Sequence, residues 1–387
     1  MTTASRVGPL AHVRVLDLSR MYPGAFATSL LADLGADVCK VEAPGFGDGM
    51  RFLTGGGFEA AHIALNRGKR SMTLDLRHAR GPDVLRRLVR DADVVVDSHR
   101  PGALDASGIG YSALREDNPA IVWCSVTGFG QDGPFAQAPG HDITYLGAAG
   151  LLSRLVASGV EPTPPQVSLS LPIGGLMAVV GILSALSQRE RTGHGAYVDA
   201  SLVDSAMWAL VEPIARAASA PGPDWGDLAA RQVYLCADGR YVTVAATEPK
   251  SWAALCAALD VPELAEHRHG VDEPAAIARL THAFASQPQA AWLESPGFAG
   301  GVGPLYSPDD LLDAPQVTGR GALHTIDGTD TRVLGNPLRI NGVDGSASTA
   351  TAPAPDLGAD TAAVLTEAGF TEAEIAELRA DGVFGRD

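Results

Sequence analysis

Ten histidines supply the imidazoles of this chain that could carry a proton near neutral pH, and they are scattered along it. His267 and His269, in Glu266-His267-Arg268-His269, could face a metal ion but lack a third ligand at useful spacing. His141 differs by its setting. Pro139-Gly140-His141-Asp142 is a turn that runs into Ile143-Thr144-Tyr145-Leu146, which puts the imidazole at an element terminus, where catalytic groups collect. Taken alone, an exposed turn histidine is the plainer reading. The four cysteines, Cys39, Cys124, Cys236 and Cys256, lie far apart with no Cys-x-x-Cys pair. They make neither a disulfide framework nor a zinc site, so no metal is expected and a reducing, cytoplasmic setting is.

The segments around these residues alternate strand and helix. Val13 to Leu18 reads as a strand, Ala25 to Leu34 as a helix closed by Gly35, and Ala36 to Glu42 as a second strand. The pattern continues with a strand over Ser71 to Leu76, a helix over Gly81 to Asp91, and strands over Asp93 to Asp97 and Ile121 to Val126. Repeated βαβ units predict an α/β fold with a parallel sheet and helices on both faces. Ligands of such sheets sit beyond the carboxyl ends of the strands.

Leu176 to Arg189 and Ala200 to Ala220 have helical spacing, the second broken near Pro213. Ala218 to Asp227, rich in Pro and Gly, reads as a linker. A hairpin follows, from Val233 to Cys236 and from Arg240 to Ala245 around Asp238-Gly239, then helices over Ser251 to Leu259 and Ala275 to Ser286. These suggest a smaller second domain. A strand at Arg332 to Leu334, a low-complexity connector over Ser346 to Pro355, and a charged helix from Thr371 to Arg379 complete the chain.

Composition narrows the function. With 29 Lys+Arg against 45 Asp+Glu in 387 residues, the net charge is −16. A general nucleic-acid binder needs a basic face, so that class is excluded. An anionic small ligand is not, because local basic clusters act inside an acidic shell. Met1 to Pro9 shows no apolar signal-peptide core. The longest apolar run, Leu169 to Leu186, carries Pro172 and two early glycines and reads as a turn plus a buried helix. No membrane association is expected.

An ordered set of segments makes the sequence recognisable. It comprises Val15-Leu16-Asp17-Leu18-Ser19 with Tyr22-Pro23-Gly24, Leu31 to Val38, Asn66-Arg67-Gly68-Lys69-Arg70-Ser71, Arg100-Pro101-Gly102, Gly128 to Pro134, Gly140-His141-Asp142-Ile143-Thr144-Tyr145, Gly181 to Leu186, Ala237 to Val242, and Thr247-Glu248-Pro249. Over nearly its whole length the chain resembles the family III CoA-transferase (CaiB/BaiF) superfamily, and within it the α-methylacyl-CoA racemases.

The resemblance implies an interlocked homodimer, each chain forming a large Rossmann-like domain (residues 1–215 and 331–387) and a small α/β domain (residues 216–330). It implies no prosthetic group, an acyl-CoA substrate, and an active site formed by the large domain of one chain and the small domain of the other. His141 would remove the α-proton of an acyl thioester, Glu248 would orient and charge the imidazole, and the Asp142 N–H would receive the enolate oxygen. Arg67, Lys69, Arg70, Leu74, Arg100, Gly140 and Tyr145 correspond to positions near the CoA moiety.

Three departures qualify this. The aspartate that transferases use as nucleophile, and racemases as the opposite base, is here Leu171, and no acidic residue lies between Glu161 and Glu190. Transfer through an acyl anhydride is therefore disfavoured. An epimerase relaying its second proton through Ser170 or water, a one-base enzyme of isomerase, lyase or carbon–carbon chemistry, and a non-catalytic acyl-CoA binder stay open. Two positions basic in many racemases are Ala43 and Ala106, so a carrier-protein thioester or a free metabolite competes with CoA as ligand. Leu228 to Tyr234 stands where racemases carry Gly-Gly-Ala-Pro, which points to a different acyl group.

Overall fold

Six short strands, each β-branched or apolar at its centre, pair into one parallel sheet. They are β1 (Arg14–Asp17), β2 (Asp37–Glu42), β3 (Arg70–Thr73), β4 (Val94–Asp97), β5 (Val122–Thr127) and β6 (Tyr197–Ser201). Their order is β3-β2-β1-β4-β5-β6, and every neighbouring pair is parallel. This computed structural model describes residues 8–53, 58–156, 160–219, 227–267, 272–295, 297–340 and 349–385. The expected 220–226 part of the linker and the 346–348 part of the connector lie outside them.

Alternation along each strand sends side chains to two separate cores. Leu16, Val41, Met72, Val95 and Trp123 meet the helices Gly81–Arg90, Thr361–Glu367 and Glu372–Ala380. Val15, Val38, Val94, Val96 and Val122 meet Tyr22–Asp33 and Ser170–Thr192. Both faces are covered, as a parallel sheet requires. Each fully buried aliphatic side chain contributes roughly 1.5–3 kcal/mol. The C-terminal helices are also tied by charge: Arg87 pairs with Glu374 at 2.8 Å and stacks 3.5 Å from the Phe370 ring centroid.

Ser170–Thr192 is, among the described residues, the helix long and apolar enough to cross a membrane by length and composition. It is a core helix of the sheet, with Gly174, Ala178, Ile182 and Ala185 buried. It begins six residues before Leu176, the expected start. Pro172 falls in the first turn, where a missing N–H breaks no helical bond.

The stretch expected to be helical from Ala200 instead opens as β6, whose five residues are too few to display a period. Helices Leu202–Trp208 and Val211–Ser219 follow, so the chain breaks at Ala209-Leu210, ahead of Pro213.

The chain divides into two compact units, Met1–Pro213 with Arg320–Asp387, and Ile214–Gly319. The strand pair Leu323–Thr325 and Arg332–Leu334 groups with the larger unit, so the return crossing falls at Gly319/Arg320. In the smaller unit β7 (Arg231–Leu235), β8 (Tyr241–Ala245) and β9 (Val302–Pro304) form an antiparallel sheet. Tyr234, Trp252, Phe284 and Trp292 fill its core together with the helices Pro249–Ala258 and Glu273–Phe284.

Candidate active site

In this strand order the direction of winding reverses between β1 and β4, which opens a crevice at their carboxyl ends. The segments leaving the two strands are stitched together there, Arg20 N donating to Ser98 Oγ at 2.8 Å. Two cavities of the larger unit meet at this point. One, of about 850 Å³, is lined by His141, Asp142, Gly140, Tyr145 and Arg100, with Leu171, Leu202, Val126 and Phe129 as apolar wall. The other, of about 600 Å³, is lined by Leu74, Ala43, Arg77 and Leu104. Arg20 and His99 line both.

His141 is the residue that precedes the helix Asp142–Ala148, in extended conformation. Its carbonyl accepts Thr144 N at 2.8 Å and Tyr145 N at 3.1 Å. Its ring has no hydrogen-bond partner among the described residues, which leaves both nitrogens available to a ligand. Asp142 opens the helix, so its N–H belongs to the first turn and has no carbonyl within the helix to meet. The Asp142 carboxylate is committed elsewhere, accepting Leu169 N, Ser170 N and Ser170 Oγ at 3.1, 2.8 and 2.6 Å.

That last bond bears on the proposed relay. Ser170 is fully buried and its hydroxyl is donated to Asp142, so it offers no proton to the cavity. Leu171 does line the cavity, as an apolar surface beside the histidine.

Tyr145 braces the turn. Its hydroxyl donates to the Gly140 carbonyl at 2.6 Å, and its ring meets Phe129 edge-on with centroids 5.3 Å apart. A Cβ on Gly140 would stand 2.5 Å from the Tyr145 ring, so the close approach demands glycine. Burial pushes the Tyr145 phenol above its ordinary pKa, which keeps the hydroxyl a donor.

The cation cluster expected beside the nucleotide is not at either cavity. Arg67 pairs with Asp33 at 2.6 Å and Arg70 with Asp37 at 2.5 Å and Glu367 at 2.7 Å. Lys69 is fully buried and donates to Asp17, Thr28 Oγ1, Asn66 Oδ1 and the Ala25 carbonyl. These three hold β3 to its neighbours and anchor the start of Tyr22–Asp33. A run of basic residues at a strand entrance does not reveal which carboxylates the fold brings to it.

The free cations at the cavities are others: Arg20, Arg77 and Arg100 form no ion pair among the described residues. Sequence inspection passed over Arg20, Arg77 and His99. The signal was available, since each follows a predicted strand at its carboxyl end.

Asp17, at the end of β1, collects Ser19 N, Ser19 Oγ, Thr28 Oγ1 and Lys69 Nζ within 3.2 Å. Burial alone would push its pKa up, but Lys40 and Lys69 hold the carboxyl well below the usual range. Next to it, Met21 takes φ 62° and ψ −160°, a region nearly restricted to glycine, which costs about 1–3 kcal/mol. The Asp48 carboxylate holds Met21 there, accepting its N–H at 3.1 Å. Met21 lines the larger cavity, so this strain is stored at its wall.

Glu248 lies in the smaller unit and precedes the helix Pro249–Ala258. Its carbonyl accepts Trp252 N at 2.9 Å, while its exposed carboxylate makes no bond among the described residues. Among those residues no group of three or more His, Cys, Asp or Glu could hold a metal ion.

Comparison with known proteins gives a consistent result. Residues 10–361 match the model of CoA-transferase family III. An alpha-methylacyl-CoA racemase of Mus musculus is 32% identical over 397 residues, covering 98% of each chain. An acetyl-CoA:oxalate CoA-transferase of Acetobacter aceti is 33% identical over 365 residues, covering 89% of this chain and 92% of that one. The crystal structure of a CaiB/BaiF family protein from Brucella suis matches with a TM-score of 0.81 at 31% identity, covering 94% and 100%.

Proposed function

The chain belongs to CoA-transferase family III, and from that premise we propose that it is an isomerase-type enzyme that removes the α-proton of an acyl-CoA thioester with His141. The observation that carries this reading is the unpartnered His141 imidazole on the wall of the larger, mostly apolar cavity. A thioester α-proton is weakly acidic. Its removal needs a base matched to neutral pH and a donor that stabilises the enolate oxygen as charge develops. His141 supplies the first and the Asp142 N–H the second. The smaller cavity, which shares Arg20 and His99 with the larger, takes the nucleotide end of the thioester.

The racemase relatives support inversion at the α-carbon, but among the described residues lining the cavity the Asp142 carboxylate is engaged with Leu169 and Ser170 and no other carboxylate is present to act as a second base. Leu171 is apolar, Ser170 is bonded to Asp142, and Tyr145 is bonded to Gly140. In our reading His141 is therefore the single base: the enolate it forms goes on to isomerisation elsewhere in the acyl chain, and when it reverts to substrate the proton returns on the same face. Glu248 acts through a homodimer, Glu248 of the partner subunit charging His141 from behind. Support comes from the unpaired carboxylate and from exposed Trp208 (68%), Val211 (57%) and Val180 (54%), apolar surface of the kind subunits cover.

A second reading, CoA transfer, is favoured by the transferase relatives at similar identity. It lacks a nucleophilic carboxylate at residue 171. Incubating an α-chiral acyl-CoA in D₂O separates the two. Deuterium uptake at the α-carbon with retained configuration is expected. CoA moved to a carboxylic acid acceptor without such uptake would establish the transferase instead.

A further inference from the structure

Tyr22 and Tyr145 both line the larger cavity, and their hydroxyls are used differently. Tyr145 donates to the Gly140 carbonyl. The Tyr22 hydroxyl has no hydrogen-bond partner among the described residues, yet it is not sealed from solvent. Burial of the ring pushes the phenol above its ordinary pKa, so the group is a neutral hydrogen-bond donor and a poor base.

The rest of Tyr22 is fixed. Its ring stacks on Phe26, with centroids 5.9 Å and planes 14° apart, beside the buried side chains of Ala25, Met50 and Leu65. Met21, before it, is held in its strained conformation by Asp48, which pairs with fully buried Lys40 at 2.9 Å. The turn after it is held from beneath. Lys69 donates to the Ala25 carbonyl at 3.2 Å, and Thr28 Oγ1 to the Gly24 carbonyl at 3.0 Å. A side chain anchored on both flanks presents its hydroxyl with little ordering left to do when a ligand arrives.

This hydroxyl belongs to the acyl end of the site. Tyr22 lines the larger cavity and not the smaller one. The segment that carries it rests on the helix that carries Leu171. A Cβ on Gly175, one turn beyond Leu171, would stand 2.7 Å from the Phe26 ring and 3.0 Å from the Pro23 carbonyl oxygen. Pro23, Leu53, Ala61 and Leu171 share the cavity and are apolar. An alkyl chain filling this space would strip water from the phenol and leave its O–H unpaired. A chain with an oxygen atom in reach would pair it.

We propose that Tyr22 is a specificity-determining residue that selects acyl chains bearing an oxygen acceptor beyond the α-carbon. Its O–H donates to that oxygen and takes no part in moving the α-proton. This rests on the acyl-CoA reading above, which names the thioester but not the chain.

The test is calorimetric titration of the full-length protein with thioesters matched in shape. They are 4-oxopentanoyl-CoA against 4-methylpentanoyl-CoA, and 5-oxohexanoyl-CoA against 5-methylhexanoyl-CoA. In each pair a carbonyl oxygen takes the place of a methyl group. Wild type should bind at least one oxo-ester about tenfold more tightly than its methyl counterpart. Tyr22→Phe, which removes the oxygen and keeps the ring on Phe26, should erase that preference. Its melting temperature should stay at the wild-type value, since no bond within the protein is lost. Tyr22→Leu should erase the preference too and serves if the first variant does not fold.

Equal affinity for both members of each pair in wild type overturns the proposal. So does a preference that survives in both variants. Failure of every thioester to bind wild type is a different result: it overturns the acyl-CoA reading and the proposal with it.

Discussion

The Ser170 hydroxyl donates to Asp142 Oδ1 at 2.6 Å, so the residue after His141 fixes the start of the helix that carries Leu171. The two sides of the larger cavity are thereby built as one unit. Asp142→Ala would leave the buried Ser170 hydroxyl and two backbone N–H groups without their acceptor, at a cost of about 1–3 kcal/mol. Ser170→Ala, which removes one bond and leaves the acceptor two others, should cost about 1 kcal/mol. Urea unfolding of the two variants checks the order, and the larger loss should belong to Asp142→Ala.

Gly140→Ala tests the turn under His141. The added methyl would fall 2.5 Å from the Tyr145 ring, which cannot withdraw without losing its bond to the Gly140 carbonyl. Displacement of the reacting base by about 1 Å can cost 100-fold in rate. A fall in kcat of that order, together with a lowered melting temperature because the crowded Tyr145 ring must shift, is the expected outcome of steady-state kinetics and thermal unfolding.

Lys69 separates a structural ion pair from a ligand contact. Removing one partner of a buried pair costs about 3–5 kcal/mol, so Lys69→Met should be severely destabilised rather than selectively weak for CoA. Burial pushes the Lys69 pKa down to about 8, against the pull of Asp17. The unfolded chain, with its ordinary lysine near 10.5, then binds the extra proton between about pH 8 and pH 10.5, and the lysine's contribution to stability rises with pH across that window. The wild-type stability minus that of Lys69→Met, followed by urea unfolding, should increase over the same interval.

Much of the sheet could be read directly from the sequence, because Val94-Val95-Val96 and Val122-Trp123-Cys124 are runs that both faces bury. β6 could not, since Tyr197–Ser201 mixes an acidic residue and a serine into five positions and takes its strand state from pairing with β5. The turn around His141 was legible from Gly140 and the apolar residues after it. The fate of the basic run Arg67 to Arg70 was not, because Asp33, Asp37, Asp17 and Glu367 reach it through tertiary folding alone. Arg20 and His99 were missed for the converse reason. Neither belongs to a basic cluster, and each becomes significant where β1 and β4 lie side by side.

Leu171→Asp places a carboxylate on the cavity wall that His141 shares. Wild type is expected to exchange the α-hydrogen with retained configuration. The variant should scramble configuration, since a second group can then deliver the proton. Burying the new carboxyl costs about 1–3 kcal/mol of stability. Chiral chromatography of the recovered thioester reads the result, and retained configuration in both proteins would show that residue 171 does not decide the stereochemistry.

The most direct test of the central claim is the rate of α-hydrogen exchange of an acyl-CoA in D₂O, compared between wild type and His141→Gln by mass spectrometry. His141 is an exposed turn residue, so the variant should fold normally and bind the thioester with unchanged affinity. Loss of a general base costs about 10²–10⁴-fold, and exchange should fall by that much. Exchange by His141→Gln at the wild-type rate, or none by wild type, would contradict the account.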